Sequence, residues 1–311
     1  MTERISVAMI GAGPAGLTSA IYLARAGIDC KIFDPGVPGG NVFMIHQIEN
    51  YPGFPKGVSG PELAQRMEAQ AKRLGAEIIQ ARVDKISIHS NLPKEFKLKL
   101  GSGDEVLARA IVLATGSKPK LLNLPGEKEF YGKGVSYCAT CDGAFFKGEE
   151  VAVIGGGDSA LQEALYLSNL CSKVYIIHRR DQFRAKKILQ DRVKEKANIQ
   201  LVLNSIPKEI KGDKEVKAIM VQDKTSGKEN LIKISGVFIY VGMMPSSELV
   251  SGMVELSEDG FVKAGEDTKT SQLGIFCAGD IREKPTRQIA SAVSDGCSSA
   301  KAIEEYFLEQ G

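Results

Sequence analysis

The sequence contains two copies of a glycine-rich turn set between apolar runs, and this internal repeat limits the folds open to the chain. Residues 8–34 align with residues 152–178. In each copy a short β-branched run enters the glycine turn, a helical pattern follows, and a second apolar run ends the copy. Each copy therefore predicts a β-α-β unit. Because 311 residues are too many for one ordinary core, the chain predicts two α/β domains.

A second pair of similar segments predicts where each domain ends. The sequence IVLATGSKP at residues 111–119 resembles VFIYVGMMP at residues 237–245, and each is an apolar run that leads to glycine and then proline. The C-terminal stretch predicts one further buried strand at residues 274–280 and a helix at residues 288–307. Since these elements lack a sheet of their own, we expect them to return to the first domain.

The expected first domain is therefore discontinuous. It comprises residues 1–117 and 246–311, and the second domain comprises residues 118–245. The segments 120–133 and 243–249 would be the two crossovers, a double linker that would let one domain rotate on the other.

The first glycine turn has the spacing of a dinucleotide site. Gly11, Gly13 and Gly16 fit GxGxxG, in which one glycine allows a tight turn, one lets the backbone approach a pyrophosphate, and one lets the helix pack on the strand. Asp34 ends the next predicted strand, where a carboxylate accepts hydrogen bonds from ribose hydroxyls and repels a 2′-phosphate. An ordinary glycine turn is the alternative. The flanking strand, helix and acid favour a nucleotide such as FAD or NAD.

The second glycine turn, at residues 155–160, fits GxGxxA, but different residues follow its second strand. His178 stands where the first copy has Asp34, and Arg179, Arg180 and, a helical turn further on, Arg184 come after it. Arginine binds phosphate through charge-assisted and often bidentate hydrogen bonds. The alternative is a solvated basic start of a helix. The alignment with Asp34 favours a 2′-phosphate site, and therefore NADPH.

Cys138 and Cys141 form a CxxC pair that Asp142 follows directly. Two cysteines so spaced can close a small disulfide ring, and the thiolate of one can attack another disulfide while the neighbouring acid transfers protons. The alternative is half of a zinc site, but no histidine or further cysteine has a spacing that would complete four ligands. We therefore expect redox use and no metal. The single cysteines, interpreted as small buried hydrophobic residues, are Cys30, Cys171, Cys277 and Cys297.

The charge balance argues against nucleic acid and membrane surfaces as main partners. The chain carries 40 Lys and Arg and 38 Asp and Glu, a net charge of +2, without a long run of one sign. Residues 5–23 are apolar, but their glycines and proline do not fit a signal peptide. With six cysteines expected in a reducing compartment, we predict a cytoplasmic protein. His46 and His89 lie outside the motifs, and we assign them no catalytic role.

Two dinucleotide sites and a paired thiol together predict electron transfer. A bound flavin can take hydride from a diffusible nicotinamide, and a disulfide is a matching acceptor of two electrons. The residues therefore predict a relay from NADPH through FAD to the CxxC pair.

Along essentially its whole length, the chain resembles the low-molecular-weight, prokaryote-type thioredoxin reductases. The segments that carry the resemblance are GAGPAG, GGN at 39–41, IENYPGF at 48–54, ATG at 114–116, CATCDG, GGGDSALQEA, HRRDQFRA at 178–185 and FCAGDIREKPTRQIA at 276–290. The resemblance implies an α/β fold of the class II pyridine nucleotide-disulfide oxidoreductase type, with two Rossmann-like, three-layer FAD/NAD(P)-binding domains. It also implies a homodimer.

The resemblance further implies a role for each matching residue. Cys141 would face the flavin, Cys138 would attack thioredoxin, and Asp142 would transfer protons. The first domain would bind FAD through Gly11, Gly13, Pro14, Ala15, Gly16, Asp34, Gly39, Gly40, Asn41, Asn50, Val83, Gly116, Gly279, Asp280, Arg287, Gln288 and Ile289. The second domain, which carries the CxxC pair, would bind NADPH through Gly156, Gly157, Asp158, Ser159, His178, Arg179, Arg180 and Arg184.

Three positions depart from the family pattern. Family members commonly have Glu at Asp34, Gln at Asn41 and Glu at Gln162, so we expect altered FAD affinity rather than lost activity. The expected function is the reduction of thioredoxin or a thioredoxin-like protein. The alternatives are a related flavin-dependent disulfide reductase or dithiol oxidase acting on another thioredoxin-like partner, a ferredoxin-fed reductase, and a redox-sensing regulator. The retained arginines argue against an electron source other than NADPH.

Overall fold

The computed structural model describes residues 2–45, 48–91 and 94–310. His46 lies outside the described residues. The chain divides into two compact units, of which unit 1 is Met1–Lys118 with Met244–Gly311 and unit 2 is Pro119–Met243. The unit boundaries in the structure therefore lie at residues 118/119 and 243/244. The boundaries predicted from the sequence lie at residues 117/118 and 245/246.

In two parts of the chain strands and helices alternate as in β-α-β folds, and a run of consecutive strands follows each part. The strands are β1 (Glu3–Ile10), β2 (Cys30–Phe33), β3 (Glu77–Ile79), β4 (Val83–Asn91), β5 (Lys94–Leu100), β6 (Glu105–Leu113), β7 (Ser117–Pro119), β8 (Val135–Ser136), β9 (Glu150–Gly155), β10 (Lys173–Ile177), β11 (Ile199–Val202), β12 (Ser205–Gly212), β13 (Val216–Asp223), β14 (Glu229–Lys233), β15 (Gly236–Tyr240), β16 (Met243–Pro245) and β17 (Ile275–Cys277). The helices are α1 (Pro14–Arg25), α2 (Gly60–Arg73), α3 (Ala139–Asp142), α4 (Asp158–Ser168), α5 (Lys187–Glu195) and α6 (Ile289–Glu309), and short 3₁₀ turns occupy Gly40–Met44, Gly143–Phe146 and Glu248–Val250.

Unit 1 is built on a mixed sheet with the strand order β3-β2-β1-β6-β5-β4, and β17 pairs with the end of β6. The pairs β1–β2, β1–β6, β2–β3 and β6–β17 are parallel, whereas β4, β5 and β6 pair antiparallel. The side chains of the parallel strands are buried on both faces, as the continuous apolar runs of β1 and β6 require. One face packs against the helices α1, α2 and α6, and the other packs against β4, β5 and the segment 250–262.

The C-terminal segment completes unit 1. Strand β17 lies in its sheet, and α6 packs on α1, where the hydroxyl of Ser299 donates to that of Ser19 at 3.1 Å. The predicted strand at residues 274–280 and the predicted helix at residues 288–307 therefore both form, and both join the N-terminal β-α-β unit.

Unit 2 holds a parallel sheet with the strand order β11-β10-β9-β15-β8 and an antiparallel sheet β12-β13-β14. Residues 120–133, which the sequence assigns to a crossover, are packed into this unit. The reason is the side chain of Glu127, which is 1% exposed and accepts hydrogen bonds from the amides of Leu122 and Leu124 and the hydroxyl of Tyr137.

Three of the four single cysteines, Cys30, Cys171 and Cys277, are buried as predicted, but Cys297 is only half-buried. It lies on α6, near the hydroxyl of the exposed Tyr22. Within the described ranges, no helix has both the length and the apolar character needed to cross a membrane.

Candidate active site

The cysteine pair of unit 2 forms a closed disulfide. The Sγ atoms of Cys138 and Cys141 are 2.08 Å apart, and the Cα atoms are 5.3 Å apart. Cys138 directly precedes α3, and its carbonyl accepts the amide N–H groups of Cys141 and Asp142 at 3.3 and 3.1 Å. This single helical turn brings the two sulfur atoms together, because a spacing of three residues places side chains on one helix face.

Asp142, at the end of the same turn, has a largely buried carboxyl group. Burial raises the pKa of Asp142, and a hydrogen bond from the hydroxyl of Ser136 to Oδ2, 2.6 Å long, acts in the opposite direction. The balance leaves the pKa above its ordinary value, which suits a group that must both hold and release a proton.

Two further side chains support this turn from the sheet and from α4. The hydroxyl of Tyr240, the last residue of β15, accepts the amide N–H of Ala139 at 2.5 Å. Glu163 on α4 has a buried Oε2 atom with no hydrogen-bond partner in the described part of the chain, and burial raises the pKa of Glu163 to about 6. Burial, together with the charge of Glu163, raises the pKa of Tyr240 well above its usual value.

Sequence reasoning missed Ser136, Tyr240 and Glu163. No motif singles out Tyr240, which lies 101 residues from Ala139 in sequence. The one signal in the sequence was a serine two residues before the CxxC pair, because serine hydroxyls commonly form hydrogen bonds with nearby backbone groups.

The glycine turn of unit 2 is shaped for a phosphate group. Gly157 directly precedes α4, whose first amides have no side-chain cap, and a Cβ atom there would meet nothing within 4 Å. By contrast, a Cβ atom on Gly155 would lie 2.5 Å from the carbonyl oxygen of Tyr240. The turn is therefore tight where the backbone packs and open at the helix start, where phosphates bind.

The segment with the three arginines is fastened to this turn by its backbone. The carbonyl of Gly156 accepts the amide N–H groups of Arg184 and Ala185 at 2.8 and 3.2 Å, and Asp158 Oδ1 accepts that of Lys186 at 2.7 Å. These bonds hold residues 179–186 in an irregular loop, so α5 begins only at Lys187 and the helical position expected for Arg184 is wrong.

Arg179, Arg180 and Arg184 are exposed, and none of them forms an ion pair with a carboxylate in the part of the chain that the structure describes. His178 differs from them. Its side chain is buried against Gly156, where an added Cβ atom would lie 2.3 Å from the ring. Burial and the neighbouring arginines lower the pKa of His178, so its ring is neutral at pH 7.

The glycine turn of unit 1 has the same geometry. A Cβ atom on Gly11 would lie 2.3 Å from the carbonyl oxygen of Ala114, and one on Gly16 would lie 2.0 Å from that of Gly11. Gly13 directly precedes α1, and its side of the turn is open to 4 Å. Pro14 and Ala15 form the first turn of α1, so the free amides of a helix start face this open space.

Asp34, at the end of β2, is tied to this turn. Its Oδ2 accepts the amide N–H of Ala12 at 2.7 Å, and its Oδ1 accepts that of Gly36 at 2.8 Å. The amide of Gly39 donates to the Ala12 carbonyl at 2.7 Å, and the Gly40–Met44 turn follows. The predicted nucleotide residues of the first β-α-β unit therefore lie together at the carboxyl ends of β1 and β2.

Other predicted residues of unit 1 gather near the same sheet edge. The amide of Gly279 donates to Asp295, and a Cβ atom on Gly279 would lie 3.0 Å from that of Ala15. Asp280 Oδ1 and Arg287 Nε are buried and form no hydrogen bond with any residue that the structure describes, and the guanidinium of Arg287 lies 4.1 Å from the ring centre of Phe261. Burial raises the pKa of Asp280 and lowers that of Arg287.

The remaining predicted residues fall into two groups. Asn41 Nδ2 donates to the carbonyl of Ser117 at 2.9 Å, close to Gly116, and Asn50 Nδ2 donates to Gln288 Oε1 at 3.3 Å, just before Ile289 begins α6. The Val83 side chain, in contrast, belongs to the apolar core that contains Ile10 and Phe33.

Buried polar atoms without partners and glycine turns open at a helix start fit a large polar cofactor in unit 1. Within the described ranges, no three His, Cys, Asp or Glu side chains are grouped as metal ligands.

Comparison with known proteins agrees with this geometry. Residues 5–296 match the family described as "Pyridine nucleotide-disulphide oxidoreductase". The chain is 42% identical to thioredoxin reductase of Bacillus subtilis (strain 168) over 309 residues, which cover 99% of this chain and 96% of that protein. It is 43% identical to thioredoxin reductase of Rickettsia felis over 312 residues, which cover 99% of each chain.

A solved structure is similar over the same length. The crystal structure of thioredoxin reductase from Streptococcus pyogenes MGAS5005 matches with a TM-score of 0.90 and 38% identity, covering 99% of this chain and 100% of that one. These matches confirm the α/β fold and the family resemblance expected from the sequence. The chain therefore belongs to the pyridine nucleotide-disulphide oxidoreductase family and, within it, to the low-molecular-weight thioredoxin reductases, which are flavoprotein oxidoreductases.

Proposed function

We propose that the chain transfers two electrons from NADPH through FAD and the Cys138–Cys141 disulfide to the disulfide of thioredoxin or a thioredoxin-like protein. One observation carries this proposal. A closed CxxC disulfide, followed by a carboxyl group of raised pKa, lies in the same unit as a glycine turn bordered by three arginines that form no ion pair among the described residues.

In this proposal unit 1 binds FAD. The first-turn amides of α1 would bind the pyrophosphate in the open space beside Gly13, and Asp34 would accept hydrogen bonds from the ribose hydroxyls. Asp280 and Arg287 have buried polar atoms that form no hydrogen bond with any described residue, and cofactor atoms would supply those hydrogen bonds. The chemistry that bound FAD would supply is to accept hydride from a nicotinamide and to donate two electrons to a disulfide.

Unit 2 would bind NADPH at its own glycine turn. Gly157, Asp158 and Ser159 lie where the first amides of α4 would bind the pyrophosphate. The three guanidinium groups would bind the 2′-phosphate, because phosphate pairs with arginine in bidentate geometry. His178 is neutral and packs on Gly156, so it would fix the turn rather than add charge.

The reduced cysteines would then reduce the substrate. The Cys138 thiolate attacks one sulfur of the substrate disulfide, a mixed disulfide forms, and the other substrate sulfur leaves as a thiolate that takes a proton. Cys141 next attacks the sulfur of Cys138, which restores the internal disulfide and releases the second substrate thiol. Asp142 is placed to supply a proton to a leaving thiolate.

An anaerobic titration tests the proposal. We expect NADPH to bleach the visible flavin absorbance of the purified holoenzyme and oxidised thioredoxin to restore it.

Cys138→Ser should abolish thioredoxin turnover and leave the bleaching intact. Cys297→Ser, a half-buried cysteine outside the relay, serves as the control and should retain turnover. Turnover that survives Cys138→Ser contradicts the assigned relay, and a flavin that NADPH does not bleach contradicts the assigned electron source.

The homodimer and the cytoplasmic location implied above stay predictions. Sedimentation of the holoenzyme and fractionation of cells test them.

A further inference from the structure

Ser136 lies beside the reactive cysteines and has no role in the mechanism above. It ends the short strand β8, which pairs in parallel with β15, and its side chain is 3% exposed. Burying a hydroxyl group costs free energy unless the group forms hydrogen bonds, so the hydrogen bonds of Ser136 indicate what the buried hydroxyl does.

The hydroxyl of Ser136 makes contacts on both sides of the CxxC turn. Its Oγ accepts the amide N–H of Cys138 at 3.0 Å, lies 2.6 Å from Asp142 Oδ2, and lies 3.3 Å from the carbonyl oxygen of Cys138. One atom therefore connects the backbone of the first cysteine with the carboxyl group at the end of the turn.

A serine hydroxyl has one proton to donate and two lone pairs to accept. With Asp142 ionised, the proton points to the carboxylate, which is nearer than the Cys138 carbonyl and carries the charge. With Asp142 protonated, its O–H can donate to the second lone pair of Ser136 Oγ, and the serine proton can turn to the carbonyl 3.3 Å away. The Ser136–Asp142 hydrogen bond thus persists in both states, and only its direction reverses.

We propose that Ser136 is a positioning residue for Asp142, whose hydroxyl reverses its hydrogen bond each time the carboxyl group gains or loses a proton. The inference rests on the proposed function, in which Asp142 transfers that proton. Because the same hydroxyl holds the amide of Cys138, the carboxyl group stays at a fixed place relative to the cysteine that attacks the substrate.

The groups around Asp142 do not replace Ser136. Tyr131 and Tyr240 are titratable neighbours whose pKa values respond to the charge of Asp142. Burial, together with this charge, raises the pKa of each tyrosine, so both side chains are neutral near pH 7. The charge of Glu163 on α4 also acts on Tyr240, and burial raises the pKa of Glu163 to about 6, so this carboxyl titrates in the same experiment. No lysine or arginine of the described residues influences Asp142, so the hydroxyl is the group that favours its ionised form.

The test is an infrared pH titration of the protonated carboxyl band in the oxidised holoenzyme. Subtracting the titration of Asp142→Asn from that of the wild type isolates Asp142 from Glu163. Subtracting the titration of the Ser136→Ala/Asp142→Asn double variant from that of Ser136→Ala gives the titration of Asp142 in the absence of the Ser136 hydroxyl. We expect Ser136→Ala to raise the midpoint by about one pH unit, because the hydrogen bond to the ionised carboxylate is stronger by about that amount than the one to the neutral acid. Equal midpoints overturn the inference.

Three further variants make the test specific. Ser136→Thr retains a hydroxyl and should keep the wild-type midpoint, whereas a threonine variant that shifts as far as alanine overturns the inference. Ser168→Ala removes another buried hydroxyl of unit 2, bonded to the Leu165 carbonyl at 2.7 Å, and should shift nothing. Ser136→Gly, which also lacks the hydroxyl, takes the place of the alanine variant if that one does not fold.

Turnover is measured separately. In thioredoxin turnover, the limb of the pH–rate profile along which the rate falls as Asp142 loses its proton should move to higher pH in Ser136→Ala, together with the infrared midpoint. A wild-type holoenzyme that reduces no thioredoxin contradicts the proposed function, while the infrared midpoints still decide the role of Ser136.

Discussion

The hydroxyl of Tyr240 accepts the amide N–H of Ala139 at 2.5 Å, and Ala139 directly follows Cys138. Ala139 is fully buried, so this amide has no access to water. Tyr240 itself is opposite Gly155 in the parallel pairing of β15 and β9. One side chain therefore joins β15, the neighbour of the strand that leads into the second glycine turn, to the start of the CxxC helix.

Tyr240→Phe should destabilise the protein through this amide. A buried donor left without an acceptor costs about 1 to 3 kcal/mol of unfolding free energy. Urea unfolding of the full chain measures the change. Tyr166→Phe on α4 is the control, because the Tyr166 hydroxyl makes no hydrogen bond among the described residues. Equal midpoints for the two variants would show that the Ala139 amide has another partner.

Glu163→Gln should change the pH dependence of stability. Burial raises the pKa of Glu163 from 4.5 to about 6. The folded chain therefore holds this proton more tightly than the unfolded chain, so the stabilisation is complete below pH 4.5 and is lost as the pH rises through about 6. The neutral amide avoids that loss. Allowing for partial solvent access, we expect the variant to gain about 1 kcal/mol relative to wild type between pH 4.5 and pH 8.

Urea unfolding at several pH values measures this gain. Glu195→Gln on α5 is the control, since Glu195 is exposed and forms no ion pair in the described part of the chain. It should show the pH dependence of the wild type. A Glu163→Gln variant that does the same contradicts the assigned burial of this carboxyl group.

The repeated β-α-β units were predictable because both local signals agreed: apolar runs gave β1 and β9, and glycine spacing gave the starts of α1 and α4. The antiparallel strands β12, β13 and β14 left no comparable signal. The pattern of β14 is largely exposed, and its register is fixed by pairing with β13 rather than by a core-facing alternation.

The sites show the same limit. Residues within a motif, such as Gly13 or Cys138, could be named because the chemistry dictates their spacing. Ser136 and Tyr240 act on Cys138 and Ala139 through tertiary contacts, and a hydroxyl placed by tertiary contact has no sequence spacing to reveal it. The glycine, proline and charge of the Lys120–Lys133 segment predict a linker, whereas the burial of Glu127 depends on hydrogen bonds that composition does not predict.

Gly13→Ala and Gly157→Ala should separate binding from folding. Both residues have extended backbone angles that alanine adopts, and a Cβ atom at either position meets nothing within 4 Å. We therefore expect unchanged unfolding temperatures for the proteins without cofactor. The added methyl group would occupy the proposed pyrophosphate space, so Gly13→Ala should weaken FAD binding and Gly157→Ala should raise the NADPH KM, each by about tenfold or more.

Titration of the apoprotein with FAD and steady-state kinetics measure these effects. Gly16→Ala is the contrasting variant, because its Cβ atom would lie 2.0 Å from the carbonyl oxygen of Gly11 and should disturb the fold itself. If Gly13→Ala binds FAD with wild-type affinity, the pyrophosphate does not bind at this turn.

Asp295→Asn should strongly destabilise unit 1. Asp295 accepts hydrogen bonds from Arg282 at 2.8 Å and Lys284 at 2.9 Å, and all three side chains are at most 11% exposed. Burial acts to raise the pKa of Asp295, but these bonds outweigh it and lower the pKa, so their stabilisation is present above the ordinary pKa of aspartate and is lost as the pH falls through the lowered one. Removing the charge leaves two buried cations, which costs about 3 to 5 kcal/mol near pH 7.

Urea unfolding near pH 7 measures this cost. Asp84→Asn is the matched control, because the ion pair of Asp84 with Arg82 is exposed to solvent and should leave the midpoint unchanged. Similar midpoints for the two variants would mean that Arg282 and Lys284 find other partners when Asp295 is neutral.

Arg179→Ala/Arg180→Ala should separate the two nicotinamide nucleotides. Both arginines are exposed, and their loop is held on the Gly156 carbonyl by the amides of Arg184 and Ala185, so their removal leaves the glycine turn intact. A hydrogen bond to a charged group contributes about 1.5 to 3 kcal/mol, and losing one such contact with the 2′-phosphate should raise the NADPH KM by at least about tenfold. NADH lacks this phosphate, so its KM should change by less than about twofold.

Steady-state kinetics with both nucleotides at low ionic strength measures this, because salt screens exposed charges. Arg192→Ala is the control, an exposed arginine of α5 without an ion pair in the described ranges, and it should change neither KM. An equal rise of KM for NADPH and NADH would place the lost contact on a group that both nucleotides share, and the arginine loop would then bind the common pyrophosphate rather than the 2′-phosphate.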